Sequence, residues 1–151
     1  MTELDELLKN IDKCVDPKNI IKALNEIKSK NESKNESEIE RLAMQIFSIL
    51  QTLKSFDEPQ RSEIERHTLD AIVALSDVKY YPIYYSMMEI LDADNPDMDV
   101  NKRLNAVKVL GRFLAAKKEN IEEIKFELER ISKEDGDSKV ESRAKLLLER
   151  F

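Results

Sequence analysis

The stretch DMDVNKRLNAVKVLGRFLA, residues 97–115, carries the pattern that decides the fold class. Val100, Leu104, Val107, Leu110 and Leu114 recur at intervals of three and four residues, which places them on one stripe of an α-helix. Polar residues fill most other positions, and carboxylates stand just before the first turn, where they can accept hydrogen bonds from its N–H groups. The stretch therefore predicts an amphipathic helix that packs one face against a core.

Comparable stretches recur along the chain. They begin near Asp16, Glu58, Asp97 and Asp137, at spacings of 42, 39 and 40 residues, and each joins a capping carboxylate to an amphipathic run. A period near 40 residues with two helices per repeat is typical of an α-solenoid, in which each helix pair buries its apolar stripe against the next. We predict an all-α fold of about eight helices in four antiparallel pairs, within one domain spanning residues 1–151. An irregular helical bundle is the alternative.

The first third of the chain predicts two helices followed by a polar connector. One helix is expected over residues 2–15, and Asp16-Pro17 reads as the cap and first position of the next. Residues 30–37, KNESKNES, form a direct repeat without an apolar side chain, so they cannot contribute to a core. We therefore expect a flexible connector there.

Two capping-box patterns predict helix starts. Ser37 is followed by Glu40, and Ser138 by Glu141, so each hydroxyl has a carboxylate three residues later. Gly136 predicts a left-handed stop just before the second of these helices. The residues expected to face inward outside the opening stretch are Ile20, Ile21, Leu24, Ile27, Ile39, Leu42, Ile46, Ile64, Leu69, Ile72, Leu75, Ile124, Leu128, Ile131, Val140, Ala144, Leu147 and Leu148.

Composition agrees with packed helices and narrows the function classes. Hydrophobic residues make up 41% and charged residues 37% of the 151 positions, with only two glycines, a balance typical of long helices. The lone cysteine, Cys14, cannot form an internal disulfide, so we expect a reducing compartment and a cytoplasmic protein. An acidic N-terminus and the absence of an apolar run of about 18 residues predict neither a signal peptide nor a membrane span.

The last third of the chain resembles a known repeat family. The patterns Asp97-x-Asp99-Val100-x-x-Arg103 and Asp137-x-x-Val140-x-x-Arg143, followed by Ala and Leu on the packing face, resemble the second helix of a HEAT-type repeat. The resemblance implies that Arg103 pairs with Asp97 or Asp99, and Arg143 with Asp137, in purely structural contacts. It also implies that the second helix of each pair lines a concave face that binds a protein or a nucleic acid.

No residue pattern in the sequence matches a catalytic, metal-binding or phosphate-binding motif. His67 can share a helix face with Glu63 and Asp70, but one helix supplies no closed metal site. The aspartates of residues 92–99 resemble a calcium loop that fails at three positions, and turn and capping chemistry explains them. Cys14 lies between carboxylates that raise a thiol pKa, and the two glycines are isolated, so neither a nucleophile nor a phosphate loop is indicated. We predict no catalytic, cofactor or metal site.

Two surfaces are candidates for binding a partner. The segment from Tyr80 to Met88 holds all four tyrosines, and Tyr and Met are enriched in interface cores. The alternative is a central helix packed on both sides. A basic strip on the predicted helices over residues 100–115 and 138–151 is the second candidate, although solvated charge explains it as well. The residues predicted to bind a partner are Tyr81, Tyr84, Tyr85, Met88, Asn105, Lys108, Arg112 and Lys145.

These observations favour a non-enzymatic interaction scaffold that binds another protein or a peptide segment across its concave face. The alternative is a HEAT-like protein that binds or processes nucleic acid with its C-terminal basic strip. Residues 1–99 hold 12 basic and 21 acidic side chains, and residues 100–151 hold 13 and 10, so only the last third can attract a polyanion. A third hypothesis is lyase activity on tetrapyrrole-linked proteins, which some HEAT-like repeat proteins have; it rests on the repeat resemblance alone.

Overall fold

The computed structural model describes residues 17–29, 35–94 and 98–151. Every regular element within these ranges is helical, so the all-α prediction is confirmed. The predicted helix over residues 2–15, with Cys14, and the cap Asp16 lie outside the described residues. The described ranges contain α1 (Pro17–Ser29), α2 (Glu36–Ile49), a 3-10 segment (Leu50–Ser55), α3 (Gln60–Val78), α4 (Tyr80–Ile90), α5 (Val100–Ala115), α6 (Ile121–Glu134) and α7 (Ser138–Arg150).

The start of α2 differs from the capping box predicted at Ser37. Asn35 is the N-cap: its Oδ1 accepts from the backbone N–H of Glu38 at 2.9 Å, and its Nδ2 donates to Glu38 Oε1 at 3.0 Å. An asparagine amide satisfies both partners, so the helix begins two residues earlier than expected. Glu36 and Ser37 are therefore helical and do not belong to the predicted connector. Residues 30–34 of that connector lie outside the described residues.

The start of α7 follows the capping carboxylate predicted at Asp137 rather than the capping box predicted at Ser138. Asp137 is the N-cap, and its Oδ1 accepts from the N–H groups of Lys139 at 2.9 Å and Val140 at 3.2 Å. Glu141 reaches back and accepts from the N–H of Gly136 at 3.2 Å. Gly136 has a φ of +92°, which confirms its predicted left-handed conformation.

The chain divides into two compact units, an N-terminal unit that ends at Ile83 and a C-terminal unit, Tyr84–Phe151. In the described part of the N-terminal unit, α3 packs against both α1 and α2. Most predicted inward residues are buried there, with Ile21 only half-buried. The α-helix α2 ends at Ile49, and the chain continues directly as the 3-10 segment, in which Leu50 and Leu53 are buried.

In the C-terminal unit, α7 packs against both α5 and α6. Val107, Leu110 and Leu114 are buried as predicted, but the first turn of the α5 stripe is not part of the core. Val100 is exposed and Leu104 is half-buried. The core of this unit also contains Ala106, Val109 and Phe113, which the predicted stripe did not include. The solenoid order of the helix pairs stays a prediction.

Gly111 sets how closely α5 and α7 approach. A Cβ atom at this position would lie 2.7 Å from Cδ2 and 2.9 Å from Cδ1 of Leu147, which is closer than carbon atoms can pack. The two helices therefore cross where the absence of a side chain lets Leu147 lie against the α5 backbone. This crossing fixes the spacing of α5 and α7, whose outer sides form the groove described next.

Candidate functional site

An open groove of about 510 Å³ lies along the outer sides of α5 and α7 in the C-terminal unit. Its walls combine apolar, hydroxyl and basic side chains, and none of the described residues that line it is a carboxylate. Because both helices belong to one compact unit, the groove is formed within that unit. The lining residues are Leu104, Ser138, Lys139, Ser142, Arg143 and Leu146.

The α7 wall follows from helical spacing. Lys139, Ser142, Arg143 and Leu146 stand at positions i, i+3, i+4 and i+7, which places them on one face of the helix. The adjacent face holds Val140, Ala144 and Leu147, which are buried against the rest of the unit. Leu146 is 47% exposed, so this apolar side chain contacts water at the groove surface.

An ion pair fixes the beginning of α7 relative to α5. Arg103 Nε donates to Asp135 Oδ1 at 3.0 Å, and Arg103 Nη2 donates to Asp135 Oδ2 at 3.2 Å. Arg103 Nη1 also donates to the backbone carbonyl of Met98. The two side chains are only 14% and 8% exposed, and bidentate geometry holds both the distance and the angle between them. Because Arg103 precedes Leu104 and Asp135 precedes α7, this pair positions both walls of the groove.

The observed ion pair differs from one of the pairings implied by the HEAT resemblance, the one between Arg103 and Asp99. Arg103 pairs with Asp135 rather than with Asp99, whose side chain accepts from the N–H of Asn101 instead. Asp97 lies outside the described residues. Asp137 caps α7, and Arg143 lines the groove. Arg143 is therefore placed to contact a bound molecule.

The chemistry of the groove suits a ligand that is both acidic and apolar. Lys139 and Arg143 supply positive charge, whereas Leu104 and Leu146 supply apolar surface. The first N–H groups of α7 are already satisfied by Asp137, so a small anion gains little from the helix terminus itself. The groove therefore favours a ligand large enough to use its cations and its leucines together.

The tyrosines of α4 differ in how far their side chains are exposed to solvent. Tyr85 is 63% and Tyr81 44% exposed, while Tyr84 is only 3% exposed. Met88 is half-buried. Tyr81 and Tyr85 fit the predicted role as exposed contacts, but Tyr84 does not, because its side chain packs into the core of the C-terminal unit. The exposure of Tyr81 and Tyr85 shows that this helix also has a face in contact with solvent.

Tyr84 instead anchors the start of α6. Its hydroxyl donates to Glu123 Oε2 at 2.9 Å, and Asn120 Nδ2 donates to the same oxygen at 2.9 Å. Burial, together with the hydrogen bond to Glu123, raises the pKa of Tyr84 above its ordinary value. The hydrogen bonds from Asn120 and then from Tyr84 lower the pKa of the Glu123 carboxyl. The cluster is a structural contact between α4 and α6.

The predicted basic strip is interrupted. Asn105 is only 5% exposed and belongs to the buried side of α5, so it cannot extend an exposed surface. Lys108 and Arg112 are half-buried, and Lys145 is exposed on α7. Helical spacing places Asn105 on the same face as Lys108, which is why it was included in the strip. The buried face of α5 is wider than the single predicted stripe, and it includes Asn105. The exposed cations of α7 remain available to a partner.

His67 lies on a partly buried face of α3. Burial lowers the pKa of His67, and the positive charges of Arg66 and Lys28 lower it further, whereas Asp70 and Glu63 raise it. The imidazole is therefore biased towards its neutral form. Within residues 17–29, 35–94 and 98–151, no group of three or more His, Cys, Asp or Glu side chains is arranged to hold a metal ion.

The described residues of the acidic segment before α5 make structural contacts. The N–H of Asp94 donates to Asp92 Oδ1 at 2.9 Å, and Asp99 is the N-cap of α5. These contacts are turn and cap interactions of the kind expected from the sequence. Residues 95–97 lie outside the described residues.

None of the six groove residues is among the residues predicted to bind a partner. Leu104 was assigned to the core, Arg143 to a structural pair, and Leu146 was not singled out. A signal was present, because an apolar residue at position i+7 from Lys139 interrupts the polar face of an otherwise amphipathic helix. Phe126 gives the same signal on α6, where it is exposed among glutamates.

Comparison of the chain with protein-family models, with curated proteins and with solved structures finds no match in any of the three. The HEAT-type resemblance thus rests on the residue patterns alone. Over the part of the chain that the structure describes, no helix combines the length and apolar character needed to cross a membrane.

Proposed function

We propose that the protein is a non-enzymatic protein-binding module, and that the groove between α5 and α7 binds a partner segment that carries acidic and apolar side chains. The observation that carries the proposal is the pairing of Lys139 and Arg143 with Leu104 and Leu146 in one open groove. Interface cores combine apolar anchors with arginine, and charge complementarity steers the partner into register.

The position of the groove supports the proposal. In the HEAT-like reading, α5 and α7 are second helices of successive pairs, and such helices line the binding face. The tight crossing at Gly111 and the ion pair between Arg103 and Asp135 hold the groove walls before a partner arrives. A preformed site loses less conformational entropy on binding, which favours affinity. The cytoplasmic location expected from the single cysteine belongs to the same proposal.

Charge argues for a protein partner over the nucleic-acid alternative. Residues 84–151 hold 13 basic and 15 acidic side chains, a balance of −2, so the C-terminal unit as a whole does not attract a polyanion at long range. Useful affinity for a duplex needs roughly six to ten phosphate contacts, whereas the groove offers two cations. A gel shift near 50 mM salt tests this alternative. Binding that Arg143→Glu abolishes would favour nucleic acid as the occupant.

Affinity capture with matched variants tests the proposal. Tagged wild-type chain, Arg143→Glu and Leu146→Glu are exposed to source lysate, with Lys54→Glu as the charge-matched control because Lys54 is exposed in the N-terminal unit. Either groove variant should lower the affinity for partners that bind the groove, and hence their recovery, by about tenfold, which corresponds to a free-energy change of about 1.4 kcal/mol. The control should recover these partners as the wild type does. Equal recovery with all four baits would contradict the proposal.

A further inference from the structure

A second surface of the C-terminal unit complements the groove. Phe126 is 74% exposed, more than any other large apolar side chain among the described residues. It stands two positions from Ile124 and from Leu128, which face the core, so it points away from that core. An aromatic ring held in water on a rigid helix gains free energy when a partner covers it.

Carboxylates occupy three of the four positions that flank this ring on the helix surface; the fourth is Arg130 at i+4, which donates to Glu127 and to the backbone carbonyl of Leu91. Glu122, Glu123 and Glu129 stand at i−4, i−3 and i+3 from Phe126, the positions that flank a residue on a helix surface, and all three are exposed. We call Phe126 and these three glutamates the Phe126 face. Glu123 accepts from Tyr84 and Asn120, and Glu129 accepts from Lys133, but all three carboxylates reach solvent. One apolar side chain beside exposed carboxylates complements the groove, which has leucines beside Lys139 and Arg143.

We propose that the groove of one copy binds the Phe126 face of a second copy, so that the protein associates with itself head to tail. The inference rests on the proposed function, because it uses the same groove and names its occupant. Size permits the contact: an apolar cavity of about 150 Å³ accommodates a benzene ring, and the open groove has about 510 Å³. Opposite charges beside the apolar contact set the register and disfavour other orientations.

Symmetry determines the expected assembly. The groove and the Phe126 face are different surfaces of the chain, so each copy offers one of each and the contact is heterologous. Such contacts give open chains unless the rotation between copies closes a ring. The ion pairs at the rim are exposed to solvent, so association should weaken as salt rises from low to physiological ionic strength.

Sedimentation velocity over a concentration series tests this self-association. The wild-type chain should shift to larger sedimentation coefficients with concentration, whereas Phe126→Ser and Arg143→Glu should each sediment as a monomer. Phe151→Ser is the matched control, because it removes another exposed phenylalanine that lies outside both surfaces. It should associate like the wild type. Circular dichroism confirms that each variant is folded.

Mixing the two defective variants gives the decisive result. Phe126→Ser keeps an intact groove and Arg143→Glu keeps an intact Phe126 face, so an equimolar mixture should form a pair of one copy each and nothing larger. A wild-type chain that stays monomeric to millimolar concentrations, or a mixture that stays monomeric, overturns the inference. Capture of another protein through the groove by a monomeric chain would leave the proposed function standing and refute only self-association. The tag distinguishes bait from captured copies.

Discussion

Replacing Arg103 by methionine tests how the groove walls are held. The guanidinium makes two hydrogen bonds to Asp135, at 3.0 and 3.2 Å, and the carboxylate is only 8% exposed. Removing one member of a buried pair typically costs 3–5 kcal/mol, because the remaining charge loses its partner without regaining water. Both side chains here keep slight contact with solvent, so we expect a loss near the lower limit, about 3 kcal/mol. Methionine preserves most of the apolar stem of Arg103.

Urea unfolding followed by circular dichroism measures this loss. The control is Lys133→Met, which breaks the ion pair with Glu129 at 3.2 Å, where the side chains are 69% and 61% exposed. Exposed pairs contribute about 0.5 kcal/mol or less, so the control should unfold close to the wild type. The double variant Arg103→Met/Asp135→Leu should recover much of the stability by removing the unpaired charge. Equal stability of Arg103→Met and Lys133→Met would refute the reasoning.

Three further predictions concern buried and titrating groups. Leu110→Ala should lower the free energy of unfolding by about 2–5 kcal/mol, measured in urea, because Leu110 is completely buried and truncation leaves a cavity; a loss below about 1 kcal/mol would contradict its place in the core. The pKa of His67 is lowered in the folded state, so as the pH falls through the ordinary histidine pKa of about 6.5 the unfolded chain binds the proton more readily than the folded chain. The free energy of unfolding should therefore fall between pH 7.5 and 5.5, and it should fall less in His67→Gln. Identical pH profiles for the two proteins would contradict this. In alkaline titration followed by ultraviolet absorbance, Tyr84 should ionise well above the ordinary tyrosine pKa of about 10, and Tyr84→Phe should remove that late step; a wild-type titration without a late step would contradict this.

Apolar periodicity was sufficient for the elements and most of the core. Ile39, Leu42 and Ile46 on α2, and Ile124, Leu128 and Ile131 on α6, are all buried as their spacing predicted. Periodicity succeeds there because each of these helices packs one stripe against its neighbours. Cap positions were less accurate, because asparagine, serine and aspartate compete for the same role within two residues, and the sequence does not rank them.

The binding surface was harder to predict because it depends on which exposed positions meet in space. Leu104 continues the α5 stripe in sequence, yet it faces the groove, since α7 does not cover the first turn of α5. Arg103 has two aspartates within six residues of it, Asp97 and Asp99, and pairs with Asp135, 32 residues away. Tyr84 and Tyr85 are adjacent, and burial separates their roles completely. Tertiary packing decides each of these side-chain environments, and the local spacing of residues in the sequence carries no information about it.

Site-specific photo-crosslinking tests most directly whether the groove between α5 and α7 binds protein. A benzoylphenylalanine replaces Ser142, which lines the groove, and in a matched control it replaces Ser48, which is exposed on α2 in the N-terminal unit. After irradiation in cells, we expect discrete crosslinked protein bands from position 142 that Arg143→Glu abolishes, and none of these bands from position 48. The same bands from both positions, or bands from position 142 that persist with Arg143→Glu, would contradict the assignment of the groove as the binding site.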